Sequence, residues 1–255
     1  MEQFDVKKVT NELIVWLQNW FEVNGKGCKA VLGISGGKDS TVTAALCVKA
    51  LGKDRVVGVL MPNGEQKDIS DSIRVCEFLD ICNITINIDT TVNALKERVL
   101  ENIKTLGVEG LTDQTTINLP PRVRMTTLYA VSQTLNGRVI NTCNLSEDWV
   151  GYSTRYGDSA GDVSPLANLT VDEVRQVGIE LGLPYDLVYK TPSDGLCGKT
   201  DEDNLGFTYE VLDKYLRTGE CDEDIKKVID YKHKINKFKL ELMPSYQYGE
   251  VKALK

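Results

Sequence analysis

The stretch from 28 to 51, CKAVLGISGGKDSTVTAALCVKAL, constrains this chain more than any other. Its apolar run 30–34 predicts a buried strand, and Ser35-Gly36-Gly37-Lys38 forms a tight loop. Asp39-Ser40 then opens a run with helical character through Val42, Ala45, Leu46 and Val48. A strand that turns through glycines into a helix is an anion site, because the first N–H groups of the helix have no intrahelical partner and its dipole favours negative charge there. Gly36 and Gly37 let a phosphate approach the backbone with no Cβ in the way.

The rest of the chain repeats that alternation. A leading helix puts Val6, Val9, Leu13, Trp16, Leu17 and Trp20 on one stripe. A second strand is expected over 55–61 and a third over 84–88. Between them Ile69, Ile73, Cys76 and Leu79 mark a helix, and Val92, Leu95, Val99 and Ile103 mark the next. Residues 107–121 read as a polar connection ending in two prolines, followed by a helix over 122–135 and a fourth strand over 138–142. Thr170 to Glu173 is a capping box that starts another helix, and two more follow near 209–216 and 222–239. Strands alternating with helices of this length imply βαβ units: an α/β, Rossmann-like three-layer fold with a parallel sheet flanked by helices. Right-handed crossovers then put the functional loops at the carboxyl ends of the strands. Two long polar loops, 144–165 and 191–206, are expected to be functional, the second as a lid. There is no internal repeat or composition break, so one domain spanning 1–255 is expected.

Composition narrows the function classes. A net charge of −7 gives no support to nucleic-acid binding. No apolar stretch reaches the length of a membrane span, and the N-terminus lacks a signal-peptide pattern, so a cytoplasmic protein is expected. Seven cysteines include no C-x-x-C pair, which argues against a disulfide framework and a zinc site. Cys28, Cys47, Cys76 and Cys82 sit in or beside apolar runs, as buried thiols do.

The glycine loop departs from the P-loop pattern G-x-x-x-x-G-K-[ST] at Leu32 and Asp39, so Lys38 does not read as a P-loop lysine. The pattern S-G-G-x-D-S instead resembles the pyrophosphate loop of the ATP pyrophosphatases, which cleave ATP to AMP and pyrophosphate. Three further segments sharpen the resemblance: PPRVRMTTLY (120–129), NTCNLSEDWVGYSTRYGDSAGDVSPL (141–166) and KTPSDGLCGKTDEDNLGFTYEVLDKYL (190–216). With GISGGKDS (33–40) they resemble the ammonia-dependent NAD synthetases, over most of the chain. The resemblance implies an N-type ATP pyrophosphatase fold, a homodimer, and the reaction deamido-NAD + ATP + ammonia → NAD + AMP + pyrophosphate, the last step of NAD biosynthesis.

Residue by residue, the resemblance implies that Gly33, Ile34, Ser35, Gly36, Gly37, Lys38, Asp39 and Ser40 hold the ATP phosphates, with Thr142 and Ser193 as further ATP contacts and Met61 offering backbone to adenine. It places Mg²⁺ ligands at Asp39 and Glu147, at the ends of two predicted strands, where phosphate oxygens and water complete the shell. The alternative for Glu147 is a cap on the short helix near Asn144. Arg122, Arg155, Asp162, His233 and Lys234 match contacts to deamido-NAD, although the family usually has lysine where Arg155 stands. A lone histidine is more often structural. The family often carries an ATP-binding lysine at the place of Val171, and Lys38 or Lys199 is the candidate replacement for its charge. The second half-reaction needs neutral ammonia, for which Asp158 is the candidate base. No cysteine is needed as a nucleophile, because the activated intermediate is an adenylate on the substrate. Too little chain lies outside these segments for a glutamine amidase, so free ammonia is the expected nitrogen donor. The competing readings are another ATP pyrophosphatase that amidates or thiolates a different acid, and a non-catalytic nucleotide-binding module on the same fold.

Overall fold

The computed structural model describes residues 4–66, 68–189, 201–246 and 248–249. Four parallel strands form one sheet in the order β3-β2-β1-β4: β1 (Lys29–Gly33), β2 (Val56–Leu60), β3 (Cys82–Thr85) and β4 (Gly137–Val139). Five helices precede or link them: α1 (Val6–Asn24), α2 (Lys38–Leu51), α3 (Ile69–Leu79), α4 (Asp89–Ile103) and α5 (Asp113–Thr134). After β4 come α6 (Leu145–Trp149), α7 (Val171–Glu180), α8 (Tyr185–Val188), α9 (Asp201–Leu205), α10 (Tyr209–Thr218) and α11 (Glu223–Asn236).

The alternation of side chains along β1 and β2 divides the core into two layers. Ala30, Leu32, Val56 and Leu60 face one side and bury against α1, α2, α3, α7 and α8. Val31, Val57, Val59 and Val139 face the other, against α4 and α5. α2 lies beneath α1 and α7, which is why it is buried on most sides and its apolar pattern is nearly continuous. Gly58 makes room for α3, since a Cβ there would stand 2.9 Å from Ile34 Cγ1 and 3.0 Å from Cys76 Sγ. A third, smaller cluster, away from the sheet, joins Val150 and Val171 to Leu205, Phe207, Tyr209, Leu212 and Ile229.

Several expectations need correction. Pro120 and Pro121 do not end a connection: they lie inside α5, which starts at an N-cap where Thr112 accepts from Thr115 N–H at 3.2 Å. A proline costs a helix one hydrogen bond and a clash. Here packing offsets that cost, as Pro120 is buried and Pro121 is packed so closely that a Cβ on Gly157 would lie 2.9 Å from its own Cβ. The third and fourth strands are shorter and earlier than the apolar runs suggested, so Thr142 stands three residues beyond β4. β3 is an edge strand with all four residues exposed, Cys82 among them, so its thiol is not buried. Trp16, Ile73, Leu95 and Val99 also face outward. The capping box holds: Thr170 accepts from Glu173 N–H, and the Glu173 carboxylate accepts from Thr170 N–H at 2.8 Å. Among the described residues no helix is long and apolar enough to cross a membrane.

Candidate functional site

In the order β3-β2-β1-β4 the connections run one way out to β3 and the other way to β4, so the carboxyl ends of β1 and β4 flank the switch point where such sheets bind ligands. The loop after β1 is folded on its own hydroxyls. Ser35 N–H donates to Ser40 Oγ at 3.2 Å, and Gly37 N–H donates to Ser35 Oγ at 3.2 Å. Ser40 Oγ donates in turn to the Gly37 carbonyl at 3.1 Å. Gly36 has φ +78°, and a Cβ there would stand 2.9 Å from Asp71 Cβ and 3.0 Å from Ser72 N, so both the turn and the approach to α3 demand glycine. Gly37 is the N-cap of α2 and offers no side chain, so the first-turn N–H groups carry no side-chain cap.

The loop after β4 delivers the second half of the site. Asn144, fully buried, is the N-cap of α6 and accepts from Glu147 N–H at 3.0 Å. Its amide also donates to Asp39 Oδ1 at 3.0 Å. One side chain thus sets the start of the helix that carries Glu147 and orients the carboxylate of Asp39. Neither carboxylate ends a strand: Asp39 sits in the first turn of α2, and Glu147 in α6. Asn144, not Glu147, supplies the cap. Lys38 stands between the two acids, its Nζ 2.8 Å from Asp39 Oδ2 and 3.6 Å from Glu147 Oε1. Burial pulls the Lys38 pKa down, and the charges of Asp39 and Glu147 outweigh it and hold the ammonium above its ordinary value.

Two carboxylates sharing a cation can serve as magnesium donors when phosphate oxygens and water complete the shell. They are not an all-protein cage, since no group of three or more acidic, histidine or cysteine side chains forms a metal cluster among the described residues. The ammonium already seated between them shows that their geometry suits one positive charge.

The other candidate residues lie around this centre. Thr142 is half-buried two residues before Asn144. Asp158 turns back on its loop, both carboxylate oxygens accepting from Thr154 N–H at 3.2 Å. Desolvation raises its pKa, opposed by those Thr154 hydrogen bonds and by the charge of Arg124. Asp162 braces the sheet: its Oδ2 accepts from Val139 N–H at 2.7 Å and its Oδ1 from the Tyr129 hydroxyl at 3.2 Å. Arg122 Nε donates to the Arg155 carbonyl at 3.2 Å, which brings those two residues together at the mouth of the 144–165 loop. His233 stacks on Trp149, centroids 3.9 Å apart, and its Nδ1 lies 2.9 Å from the Trp149 carbonyl, so it ties α11 to α6. It lines, with Asp162, Asp148 and Lys239, a cleft of about 650 Å³; Lys234 is exposed nearby and does not line it. Met61 is buried, and its carbonyl accepts from Arg124 Nε at 3.0 Å. Cys143, beside the site, is a buried thiol whose pKa burial pushes well up. Ser193 and Lys199 lie outside the described residues.

Three residues of the site escaped sequence reasoning. Asn144 had a signal, the N-cap type three residues before a glutamate. Arg124 had only its place in PPRVRMTTLY. Arg175 had none: Val171, the place of the expected lysine, is packed into the third cluster, while Arg175, one turn further along α7, exerts its charge on Lys38. Its Nε is buried and finds no hydrogen-bond partner among the described residues.

A parallel sheet flanked by helices, with a glycine-turned helix start at its switch point, is the Rossmann-like fold of the N-type ATP pyrophosphatases, a class of α/β enzymes. Within that class the comparisons are specific. The family model described as NAD synthase matches residues 9–248, and the chain belongs to that family. It is 40% identical over 218 residues to the NH(3)-dependent NAD(+) synthetase of Thermococcus sibiricus, covering 85% of this chain and 82% of that protein. Its fold matches the NMN synthetase of Francisella tularensis with a TM-score of 0.86 and 31% identity, over 96% of this chain and all (100%) of that one. The NH3-dependent NAD synthetase of Campylobacter jejuni follows, with a TM-score of 0.76 and 29% identity over 96% of this chain and 100% of that one.

Proposed function

We propose that this protein amidates deamido-NAD with free ammonia at the expense of ATP, as a ligase of NAD biosynthesis acting as a single domain over 1–255. The observation that carries the reading is the pairing of Asp39 and Glu147 across the glycine loop, in a chain of the NAD synthase family. In the first half-reaction the nicotinate carboxylate attacks the α-phosphorus of ATP and the bond to pyrophosphate breaks. In the second, ammonia attacks the acyl carbon and AMP departs. Both reactants of the first step are anions, so the chain must gather positive charge along their approach. The uncapped N–H groups of α2, Lys38 and Arg175 supply it from one side. Ser35 and Ser40 hold the loop in the shape that presents those N–H groups. Asp39 and Glu147 would hold Mg²⁺, which when bound neutralises phosphate charge. Asp158 is the candidate to take the proton of ammonium, and its raised pKa suits a base. Thr142 is the expected ATP contact beside Asn144, with Ser193 assigned the same role from the sequence. Arg122, Arg155, Asp162, His233 and Lys234 are the expected contacts for the dinucleotide, in a homodimer in the cytoplasm.

A second substrate reading has its own support. The likeness to a protein called an NMN synthetase makes nicotinate mononucleotide the competing acid. One experiment tests both: purified protein with ATP, Mg²⁺, ammonium and equimolar deamido-NAD and nicotinate mononucleotide, with products followed by mass spectrometry. NAD, AMP and pyrophosphate as the dominant products support the reading. A preference for NMN moves the assignment to the mononucleotide, and ADP with inorganic phosphate refutes the ATP pyrophosphatase class.

A further inference from the structure

Lys38 is the first residue of α2, and its side chain is only 4% exposed. Neighbouring residues on a helix do not normally face each other. Here Lys38 and Asp39 turn to one point, where the ammonium donates to Asp39 Oδ2 at 2.8 Å and lies 3.6 Å from Glu147 Oε1. Asn144 fixes the other oxygen of Asp39 and caps the start of the helix that carries Glu147, so the Asp39 carboxylate and the backbone that bears Glu147 are held by contacts other than the ammonium. Two anions that face one point favour a cation between them, and the chain provides its own.

We propose that Lys38 is a tethered cation that keeps the position between Asp39 and Glu147 closed to a free divalent ion until nucleotide phosphates draw its ammonium away. The inference rests on the reading of Asp39 and Glu147 as metal ligands. An ammonium and a divalent ion cannot both occupy the space between the same two oxygens. Without nucleotide, metal entry must break a charge-assisted hydrogen bond and leave Lys38 buried without its acceptor. With nucleotide, the balance reverses. The phosphates bound at the start of α2 give the ammonium a new acceptor within reach of its flexible four-carbon stem, and give the metal further oxygen ligands. Metal and nucleotide therefore bind with positive coupling, each raising the affinity for the other by the same factor.

The test measures binding, not turnover. Free Mn²⁺ is counted by electron paramagnetic resonance in nucleotide-free wild type, Lys38→Met and Lys38→Arg, and thermal unfolding is followed with and without Mg²⁺. Lys38→Met should bind Mn²⁺ about ten- to a hundredfold more tightly than wild type, the equivalent of the one charge-assisted hydrogen bond no longer in the way. Its Tm should rise by about 2–4 °C when Mg²⁺ is about five times its dissociation constant. Wild type and Lys38→Arg should show neither effect. Adding Asp39→Asn to Lys38→Met should abolish the gain. Should Lys38→Met fail to fold, Lys38→Gln carries the same expectation. Equal Mn²⁺ affinity in wild type and the uncharged variants overturns the inference. Asp39→Asn alone, titrated with Mn²⁺ in the presence of ATP, tests the ligand reading separately. Weakened affinity there with no gain in Lys38→Met overturns the inference and leaves the ligands standing, whereas unchanged affinity overturns both.

Discussion

Asn144 offers the sharpest test of how the site is held. Its side chain does two jobs, capping α6 through its oxygen and holding Asp39 through its nitrogen. Asn144→Ala removes both. Loss of an N-cap costs about 1 kcal/mol, and loss of a hydrogen bond to a charged acceptor about 1.5–3 kcal/mol. The sum, about 2.5–4 kcal/mol, corresponds to a fall in Tm of about 5–15 °C for a chain of this size. Asn144→Asp separates the jobs, since aspartate caps as well as asparagine but cannot donate to Asp39 and sets a second negative charge beside it. Asn144→Asp should therefore keep α6 and yet lose about tenfold or more in kcat/KM, because small displacements of a positioned group are that costly. The assay is a pair of measurements on each variant: calorimetric unfolding, and amide synthesis at saturating ammonium. The reasoning fails if Asn144→Asp retains wild-type kcat/KM, or if Asn144→Ala melts within 2 °C of wild type.

Further predictions concern the acids and the nitrogen source. Asp39→Asn and Glu147→Gln should each remove most activity while the protein stays folded, and the double variant should be little worse than either; additive losses in a double-mutant cycle would count against a shared site. Ammonium chloride should support turnover and ammonia-free glutamine should not; comparable rates with the purified chain would refute the expectation. Asp148, driven up to about 6 chiefly by burial, binds its proton more tightly folded than unfolded, so it destabilises the protein progressively as pH rises from about 4 to about 6. Asp148→Asn keeps an acceptor for Ser153 Oγ, which lies 3.3 Å from the carboxylate, and removes that penalty. It should raise Tm by about 2–12 °C at pH 7, from about 1–3 kcal/mol, with the gain vanishing near pH 4; a pH-independent difference would show that burial of the charge is not the cause.

The parts of this molecule that are local were legible in the sequence. The loop turns at Gly36, where the backbone has a positive φ and no room for a Cβ, and that need is visible as composition. The Thr170–Glu173 box is a local hydrogen-bond cycle with a fixed spacing. What stayed hidden depends on packing between distant segments. Pro120 and Pro121 looked like a break because the local rule is adverse, and the burial of Pro120 together with the packing of Pro121 on the 150s loop offsets it. Lys38 looked like a phosphate ligand in waiting, and no sequence pattern tells that Glu147, more than a hundred positions later, approaches the same ammonium. Arg175 is invisible for the same reason, as nothing in VDEVRQ distinguishes a solvated arginine from one beside the site. β3 read as an apolar run, yet its place at the sheet edge leaves it exposed.

The third apolar cluster gives the site a divided foundation. Asp39 is carried by α2, at the centre of the sheet's own core. Glu147 is carried by α6, a helix of five residues whose flanking Val150 belongs to the third cluster. Beyond the tie of its N-cap Asn144 to Asp39, α6 is tied outward: Ser146 Oγ donates to the buried Asp213 of α10, and Trp149 stacks on His233 of α11. Asp213 also accepts from Asp172 N–H at the start of α7 at 2.9 Å, so α10 clamps both helices. A cooperative opening of α10 and α11 alone would thus carry off one acid of the pair and leave the other standing on an intact sheet. If that smaller cluster opens on its own, substitutions within it, at Leu212 or Ile229, should lower activity by moving Glu147 while leaving the sheet intact.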